Sequence, residues 1–522
     1  MKHQISRRTF LKLTGAAAAS LATSAATSIL PAFAIAQSPR VLRIGANAWP
    51  ANLDVQNQAG PSNVGRRIFS LIHDALIIFD RQGALVPQLA TEWANDGVEW
   101  RFTLREGVRF QDGSILTPED VIYSFQRMFD PEGDQSGLAS YGRSLTRYIA
   151  SVEKTGELEV TMTTNFPDPL LAYRLATHFA PIVPQAATEA LGDTGVQQSP
   201  VGAGPYAVVE FTTDRLVLRK HDMYWGGAPG ADEVILRFIP EDATRVSALQ
   251  AGEVDIITNL PVDQFATIAS TSGLDVKSTL LLNYIGINLN TNVGPLTDVN
   301  IRRAMGLAVD RELIVRELWG DRSRAMDDYL LPNVVGYDGS AGTVRYDLDA
   351  ARAALDASGY AGEPIVFNPV TNYYSNSELP TQVMNQMWTD IGLNMTYEPL
   401  DLGSYFQSYL GGQLTCNIQS YDVFGDGMFL FQLWQPDSPI PIYRPNYFVP
   451  DESFDALALD IQNKFDIAER ATDLRQMSNY FANVVPMIPM YQSVEILGIR
   501  EGVNIEADPL FQLNLRPDSF SM

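Results

Sequence analysis

The sequence predicts an α/β protein with more than one domain. Three observations point there. The chain has 522 residues, more than a single hydrophobic core usually serves. Hydrophobic residues make up 46% and charged residues 19%, enough apolar material for large cores. Short stretches of alternating polarity are followed again and again by capped stretches of helical period, the rhythm of sheets flanked by helices.

Residues 1–36 read as a leader, separate from that fold. Ser6-Arg-Arg-Thr-Phe-Leu-Lys12 precedes an Ala-rich apolar run from 13 to 36. Ala34-Ile35-Ala36 offers an A-x-A cleavage site and Ala32-Phe33-Ala34 a second. The twin arginines and the x-F-L-K after them resemble a twin-arginine export signal, which implies the twin-arginine export machinery as a partner. No cysteine follows the run, so lipid attachment at a new N-terminal Cys is not expected. The leader holds Lys2, Arg7, Arg8 and Lys12 and no acid, so its removal deepens the formal charge of −24 by four. No other run approaches the ~20 apolar residues of a membrane helix, and the mature chain is expected to be soluble.

From residue 37 the elements follow in order. Val41-Leu-Arg-Ile-Gly-Ala46 is a strand, and a loop rich in Pro, Asn and Gln runs to Asn63. Residues 66–78 predict a helix with Ile68, Leu71, Ile72 and Ala75 on one side. Trp100, Phe102 and Leu104 alternate as a strand, and Asp112-Gly113 is a turn pair. Thr117 is an N-cap with Pro118 at N1 and Asp120 at N3, and Val121, Phe125, Met128 and Phe129 give the following helix its buried face. Residues 157–163 are a strand, and a helix starts at Asp168.

The stretch 200–255 is the densest in signals. Gly202, Gly204 and Pro205 punctuate the entry to a strand, and Leu216 and Leu218 alternate with charges in the next. Gly226-Gly227 makes a turn, and Val234, Leu236 and Phe238 restart the alternation. Val246 and Leu249 share a helix face closed by Gly252, and Val254 re-enters a strand. Further on, 283–291 is a strand. Two helices follow with Asp298 and Asp310 as N-caps and Gly320 as the stop. The adjacent Arg302 and Arg303 are expected in structural ion pairs rather than at an anion site. Residues 347–359 form a capped helix ended by Gly359, 365–367 a strand, 381–391 a helix and 393–397 a strand. Helices near 455–464 and 469–483 lead to a late strand at 486–491.

Pro200-Val-Gly-Ala-Gly-Pro205-Tyr, then Tyr224-Trp-Gly-Gly227, then Leu249-Gln-Ala-Gly-Glu-Val-Asp255 resembles the signature of the extracytoplasmic solute-binding proteins of family 5, the peptide, opine and nickel class of ABC importers. The order and spacing hold over more than fifty residues. Residues 85–127 and the Asn283–Thr291 strand resemble further blocks of that family. The resemblance implies a two-lobed periplasmic binding protein fold of type II, in the large variant with an extra subdomain. It assigns 37–80, 203–285 and 488–522 to the first lobe, 81–202 to a subdomain inserted in it, and 286–487 to the second lobe. Crossover strands near Gly286 and Met490 would form the hinge.

The same resemblance supplies the candidate site. Gln419-Ser-Tyr-Asp422-Val-Phe424, with Phe429 seven positions after the Asp, is similar to the family's W-x-x-D block. In the peptide binders of the family that Asp pairs with the ligand's α-ammonium group. Asp422 is therefore the implied anchor, read as lying in a loop with Gln419, Tyr421 and Phe424. Gln419 departs from the pattern, which has Trp there. Asp426 is the competing carboxylate, and a turn role beside Gly425 and Gly427 is the alternative for both acids. Gln58, Ala59 and Gly60 occupy the place where peptide binders pair backbone with backbone, or else form a plain surface loop. Tyr141 and Tyr374 complete the set of candidate ligand-facing residues.

Other function classes fit poorly. With 61 acidic and 37 basic residues the chain lacks the basic stripe that nucleic acid requires. After the leader only His73, His178 and His221 remain, without H-E-x-x-H spacing, and there is no G-x-S-x-G or phosphate-loop motif. Isolated histidines of this kind are expected to be hydrogen-bonded structural residues. Three histidines and the single Cys416 argue against capture of a bare metal. No catalytic residue, metal or cofactor is assigned. The sequence reading is a monomeric periplasmic binding protein that delivers its ligand to an inner-membrane ABC permease. A di- or oligopeptide is the first choice of ligand, with an oligosaccharide or opine as the alternative.

Overall fold

The computed structural model describes residues 39–57, 63–129, 148–177, 179–326, 328–339, 345–371, 373–374, 376–436, 438 and 442–522. The leader with its export and cleavage signals lies outside them. So do His178 and the candidates Gln58, Ala59, Gly60 and Tyr141.

In chain order the strands that build the molecule are β1 (Val41–Ala46), β2 (Ile77–Phe79), β3 (Leu85–Pro87), β4 (Ala90–Asp96), β5 (Glu99–Leu104), β6 (Ile149–Gly156), β7 (Glu159–Thr164), β8 (Tyr206–Phe211), β9 (Arg215–Lys220), β10 (Glu233–Phe238), β11 (Ile256–Ile257), β12 (Leu274–Leu289), β13 (Arg324–Ala325), β14 (Ile365–Asn368), β15 (Met395–Tyr397), β16 (Cys416–Asp422) and β17 (Met487–Arg500). One mixed sheet runs through both lobes in the order β15-β14-β16-β12-β17-β11-β1-β10-β9-β8, with β13 attached to β17. β1 lies parallel between β10 and β11. β14 lies parallel between β15 and β16. A separate sheet, β4-β5-β7-β6, is the extra subdomain.

The long antiparallel pair β12 and β17 joins the lobes. Residues 274–280 of β12 face 494–500 of β17, beside β11 and the first-lobe strands. Residues 283–289 face β16 of the second lobe. Between Leu280 and Tyr284 the register with β17 slips, so the ladder is interrupted where the chain passes between lobes. Only the 283–291 end was legible as a strand. The other end is half-exposed and carries Asp275, Lys277 and Ser278, which mutes its apolar signal.

The buried apolar side chains fall into three clusters. Leu42, Ile44, Leu71, Leu218 and Leu236 pack with Leu513 and Leu515, which return from the C-terminal segment. Phe102, Val108, Phe125 and Met162 fill the subdomain. Ile287, Trp388, Ile418, Trp434 and Phe481 belong to the largest cluster, which also takes in Val246, Leu249 and Ile257. Among the described residues no helix is long and apolar enough to cross a membrane.

Caps place most helices where the sequence puts them. Thr117 N–H bonds Asp120 Oδ2 at 2.9 Å, closing the start of Pro118–Phe129. Asp298 and Asp310 accept from Asn300 and Leu313 N–H at 2.7 and 2.9 Å. Gly320 and Gly359 stop their helices in the left-handed region at φ 53° and 67°, where glycine bears no Cβ penalty. The paired glycines at 202 and 204 answer a different need. A Cβ on Gly202 would lie 2.1 Å from the Ile72 carbonyl oxygen, and one on Gly204 would lie 2.5 Å from the Ile72 carbonyl carbon. Backbone has to touch backbone there.

That contact also corrects the helix expected over 66–78. The helix is Asn63–Ile72, called α1 below. The Ile72 carbonyl is taken by Gly204 N–H at 2.9 Å and Gln111 Nε2 at 2.8 Å. Ala75 N–H goes to Gln88 Oε1 at 2.8 Å. With these groups claimed from outside, the helical ladder ends, and 77–79 pairs with 85–87 as a hairpin. A second correction concerns Arg302. Its guanidinium donates to the backbone carbonyls of Leu296, Thr297, Val484 and Val485, and no carboxylate among the described residues pairs with it. It ties the start of one helix to the end of another, and burial lowers its pKa to about 10.

Candidate functional site

β16 carries the candidate residues to the junction between the lobes. The segment expected as a loop, 419–422, is the C-terminal end of this strand, and the loop proper is 423–427. Alternation along the strand sends Gln419 and Tyr421 to one face and Ser420 and Asp422 to the other. Asn283 of β12 is the partner of Asp422, which places the carboxylate beside the interruption in the crossover pair.

Asp422 meets a residue that the sequence reading missed. Arg66, from the first turn of α1 in the first lobe, donates through Nη1 to Oδ1 at 3.3 Å and through Nη2 to Oδ2. The side chains are 6% and 15% exposed, so the pair spans the lobes largely out of water. The Arg66 guanidinium lies 5.8 Å from the Phe424 ring centre, within cation–π range. Phe424 packs on Phe79 of the first lobe and on Phe429, with ring centres 5.1 and 4.8 Å apart. Burial pushes the Tyr373 phenol up to about 12, with Arg66 opposing and Asp422 reinforcing that rise. Phe179 and Leu510 complete an apolar wall beside the pair, around a cavity with room for about one water molecule.

The remaining candidates sort into other roles. Gln419 turns into the second lobe, where Nε2 donates to Tyr405 Oη at 2.6 Å and Oε1 accepts from Tyr374 Oη at 3.4 Å. The Tyr374 hydroxyl also accepts from Ser420 N–H at 3.2 Å, and burial holds its pKa well above the usual range. Tyr421 is buried between Tyr284 and Trp434, 5.6 and 6.3 Å away. These three therefore shape the wall behind Asp422, while Asp422 and Phe424 are at the junction itself. Asp426, the competing carboxylate, is 4% exposed and forms a two-point pair with Arg470, with both bonds 2.8 Å. Its Oδ1 also accepts from Met428 N–H. The position read as a competing anchor, or else as a turn acid, thus holds a buried carboxylate that pairs with Arg470 and also bonds within the turn.

The signal that could have found Arg66 is local. Arg66-Arg67 sit side by side just before the buried apolar residues Ile68, Phe69, Leu71 and Ile72 of the same helix, and a buried guanidinium needs an acid. Arg67 has Glu495 on β17 at 2.5 Å. His73, expected to be hydrogen-bonded, has no partner for either ring nitrogen among the described residues, and burial drops its pKa to about 4. His221 reaches the Gly204 carbonyl through Nδ1 at 3.2 Å. Among the described residues no group of three His, Cys, Asp or Glu side chains is placed to hold a metal ion.

Two lobes joined by paired crossover strands, with charges meeting across the gap, suit a protein that closes on a solute. The sequence model described as "Bacterial extracellular solute-binding proteins, family 5 Middle" matches residues 84–449. The chain belongs to this family. It is 25% identical over 472 residues to a protein named heme-binding protein A from Haemophilus influenzae, covering 81% of this chain and 82% of the relative. It is 26% identical over 396 residues to probable di/tripeptide-binding protein 5 from Pseudomonas aeruginosa, covering 71% and 74%. The fold of the periplasmic binding protein DppA from Helicobacter pylori, solved with the peptide STSA, superposes with a TM-score of 0.80 at 20% identity, over 92% of this chain and 98% of that one.

Proposed function

We propose that this chain is the exported substrate-binding component of an ABC importer, and that its solute is a di- or oligopeptide whose α-ammonium group pairs with Asp422. The observation that carries the reading is the position of that carboxylate. It is part-buried at the lobe junction, on the end of a second-lobe strand, beside a cavity with room for about one water molecule. A buried ammonium needs a compensating charge, and Asp422 supplies one. The break in register between Leu280 and Tyr284 is where opening and closing would turn. Ligand then favours the closed state because only that state offers contacts from both lobes.

On this reading the protein works in the periplasm as a monomer. It leaves the cytoplasm through the twin-arginine machinery, carries no lipid, performs no catalysis and hands its ligand to an inner-membrane permease. The names of several relatives, including di/tripeptide-binding proteins and a dipeptide-binding protein, support the ligand class.

Native mass spectrometry of the protein as purified, followed by calorimetry with the peptide found, tests the reading. Asp422→Ala should weaken binding by about 2–5 kcal/mol, roughly thirty- to several-thousand-fold. Binding as tight as wild type in Asp422→Ala would place the anchor elsewhere.

A further inference from the structure

We infer that residues 168–175, the stretch that follows the subdomain sheet, are a latch that grips the second lobe and holds the cleft shut. The grip involves protein groups alone, so it acts whichever solute the cleft takes.

After β7 the chain enters the short helix Leu171–Leu175. Part of it faces its own side. Leu171, Ala172 and Leu175 pack in the cluster of Phe102, Phe125 and Met162, and Arg174 pairs through Nη1 with the buried Asp168. Leu170, Tyr173 and Arg174 have the i, i+3, i+4 spacing of a single helical stripe, and this stripe reaches across. Leu170, 3% exposed, joins the cluster of Ile418, Leu430 and Trp434. Tyr173 packs against both clusters, and its ring lies 6.2 Å from that of Phe79. Burial raises the Tyr173 phenol, with Asp426 reinforcing the rise and Arg470 opposing it, so the hydroxyl end of the ring is near the second-lobe ion pair. Arg174 Nη2 donates to Gln432 Oε1 at 3.0 Å, and Gln432 is held by its own Nε2 bond to the Phe429 carbonyl at 3.0 Å.

The second lobe is shaped to receive this stripe. The Tyr173 ring lies on Gly425, where a Cβ would come 2.5 Å from Cδ1 and 3.1 Å from Cζ. Gly425 is in the left-handed region at φ 65°. The turn it belongs to is fixed by Val335, which donates to the Gly425 carbonyl at 2.9 Å and accepts from Gly427 N–H at 3.1 Å. The contact is therefore made by a rigid seat and a ring that fits it. Its energetics differ from those of the Arg66–Asp422 pair. When the lobes part, separated ions regain water, which offsets much of their lost attraction. Leu170 and Tyr173 gain no such return, because parting exposes apolar surface that closure hides. These contacts need no solute, so they favour the closed state in the empty protein as well.

The test uses the full mature protein, shown by native mass spectrometry to carry no ligand, with one dye on each lobe at Thr213→Cys and Asp356→Cys. Both positions are exposed, and Cys416 is buried. Single-molecule energy transfer then reads the ratio of closed to open molecules. Tyr173→Ala, which removes the ring, and Gly425→Ala, which fills its seat, should each lower that ratio at least tenfold relative to the labelled parent. Melting curves show that each variant is folded, and the two variants alter different lobes, so one suffices if the other fails to fold. In the Tyr173→Ala background the Gly425→Ala change should alter the ratio by less than threefold, because the clashing ring is gone. A tenfold effect there as well would trace to backbone strain at residue 425 and overturn the contact. A ratio unchanged in both single variants, or a ligand-free parent with no closed population, would overturn the latch.

Discussion

Replacing Asp426 with alanine separates the two acids of the 422–426 segment by what each is for. Asp426 and Arg470 are 4% and 3% exposed and joined by two bonds of 2.8 Å. Removing the carboxylate leaves a guanidinium in the second-lobe core with, among the described residues, the carbonyls of Ile461 and Lys464 at 2.6 and 3.0 Å as its hydrogen-bond partners. Breaking a buried pair from one side costs about 3–5 kcal/mol. The surviving carbonyl bonds put the expected loss near 3 kcal/mol, a fall in melting temperature of roughly 6–12 °C for a unit the size of this lobe. Calorimetric melting of wild type and Asp426→Ala in the same buffer measures it. The double variant Asp426→Leu with Arg470→Met, which removes both charges and keeps much of the volume, should regain most of the loss, because the desolvation penalty then disappears along with the attraction. If Asp426→Ala melts within 1 °C of wild type, the pair is hydrated in solution and the burial argument is wrong.

Two further outcomes follow from the packing around α1. Gly204→Ala drives a Cβ to within 2.7 Å of the Ile72 and His73 backbones, and no flexible side chain is available to yield. Denaturant titration should show a loss of about 1–3 kcal/mol or more, with Gly202→Ala at least as severe. His73 gives a pH signature. Its pKa is lowered by burial from 6.5 to about 4, so the unfolded chain takes up a proton below pH 6.5 that the folded chain refuses until about pH 4. The stabilisation is therefore complete above pH 6.5 and falls by about 3 kcal/mol as the pH drops toward 4. Burial also lowers His221, which adds a slope of the same sign. The difference between wild type and His73→Leu isolates the His73 share, and parallel stability–pH curves for the two would refute it.

The sequence by itself determined the local elements and the family. Caps such as Asp298, Asp310 and the Thr117–Asp120 box act within one turn of the chain, so their chemistry is written in consecutive residues. The glycines at 202 and 204 could be read as punctuation, although the reason only glycine fits, the nearby Ile72 carbonyl, lies more than 100 residues away in sequence. The end of α1 was missed for the same cause, since the groups that stop it come from Gly204, Gln111 and Gln88. The candidate site was half legible. Asp422 came from a motif, but its partner Arg66 lies 356 residues away. Sequence spacing carries no information about which acid meets which base once strand order in a sheet decides it. Asp422 and Asp426 look equivalent in the chain. They differ because β16 delivers the first to the gap between the lobes, and the turn after it delivers the second to Arg470 inside one lobe.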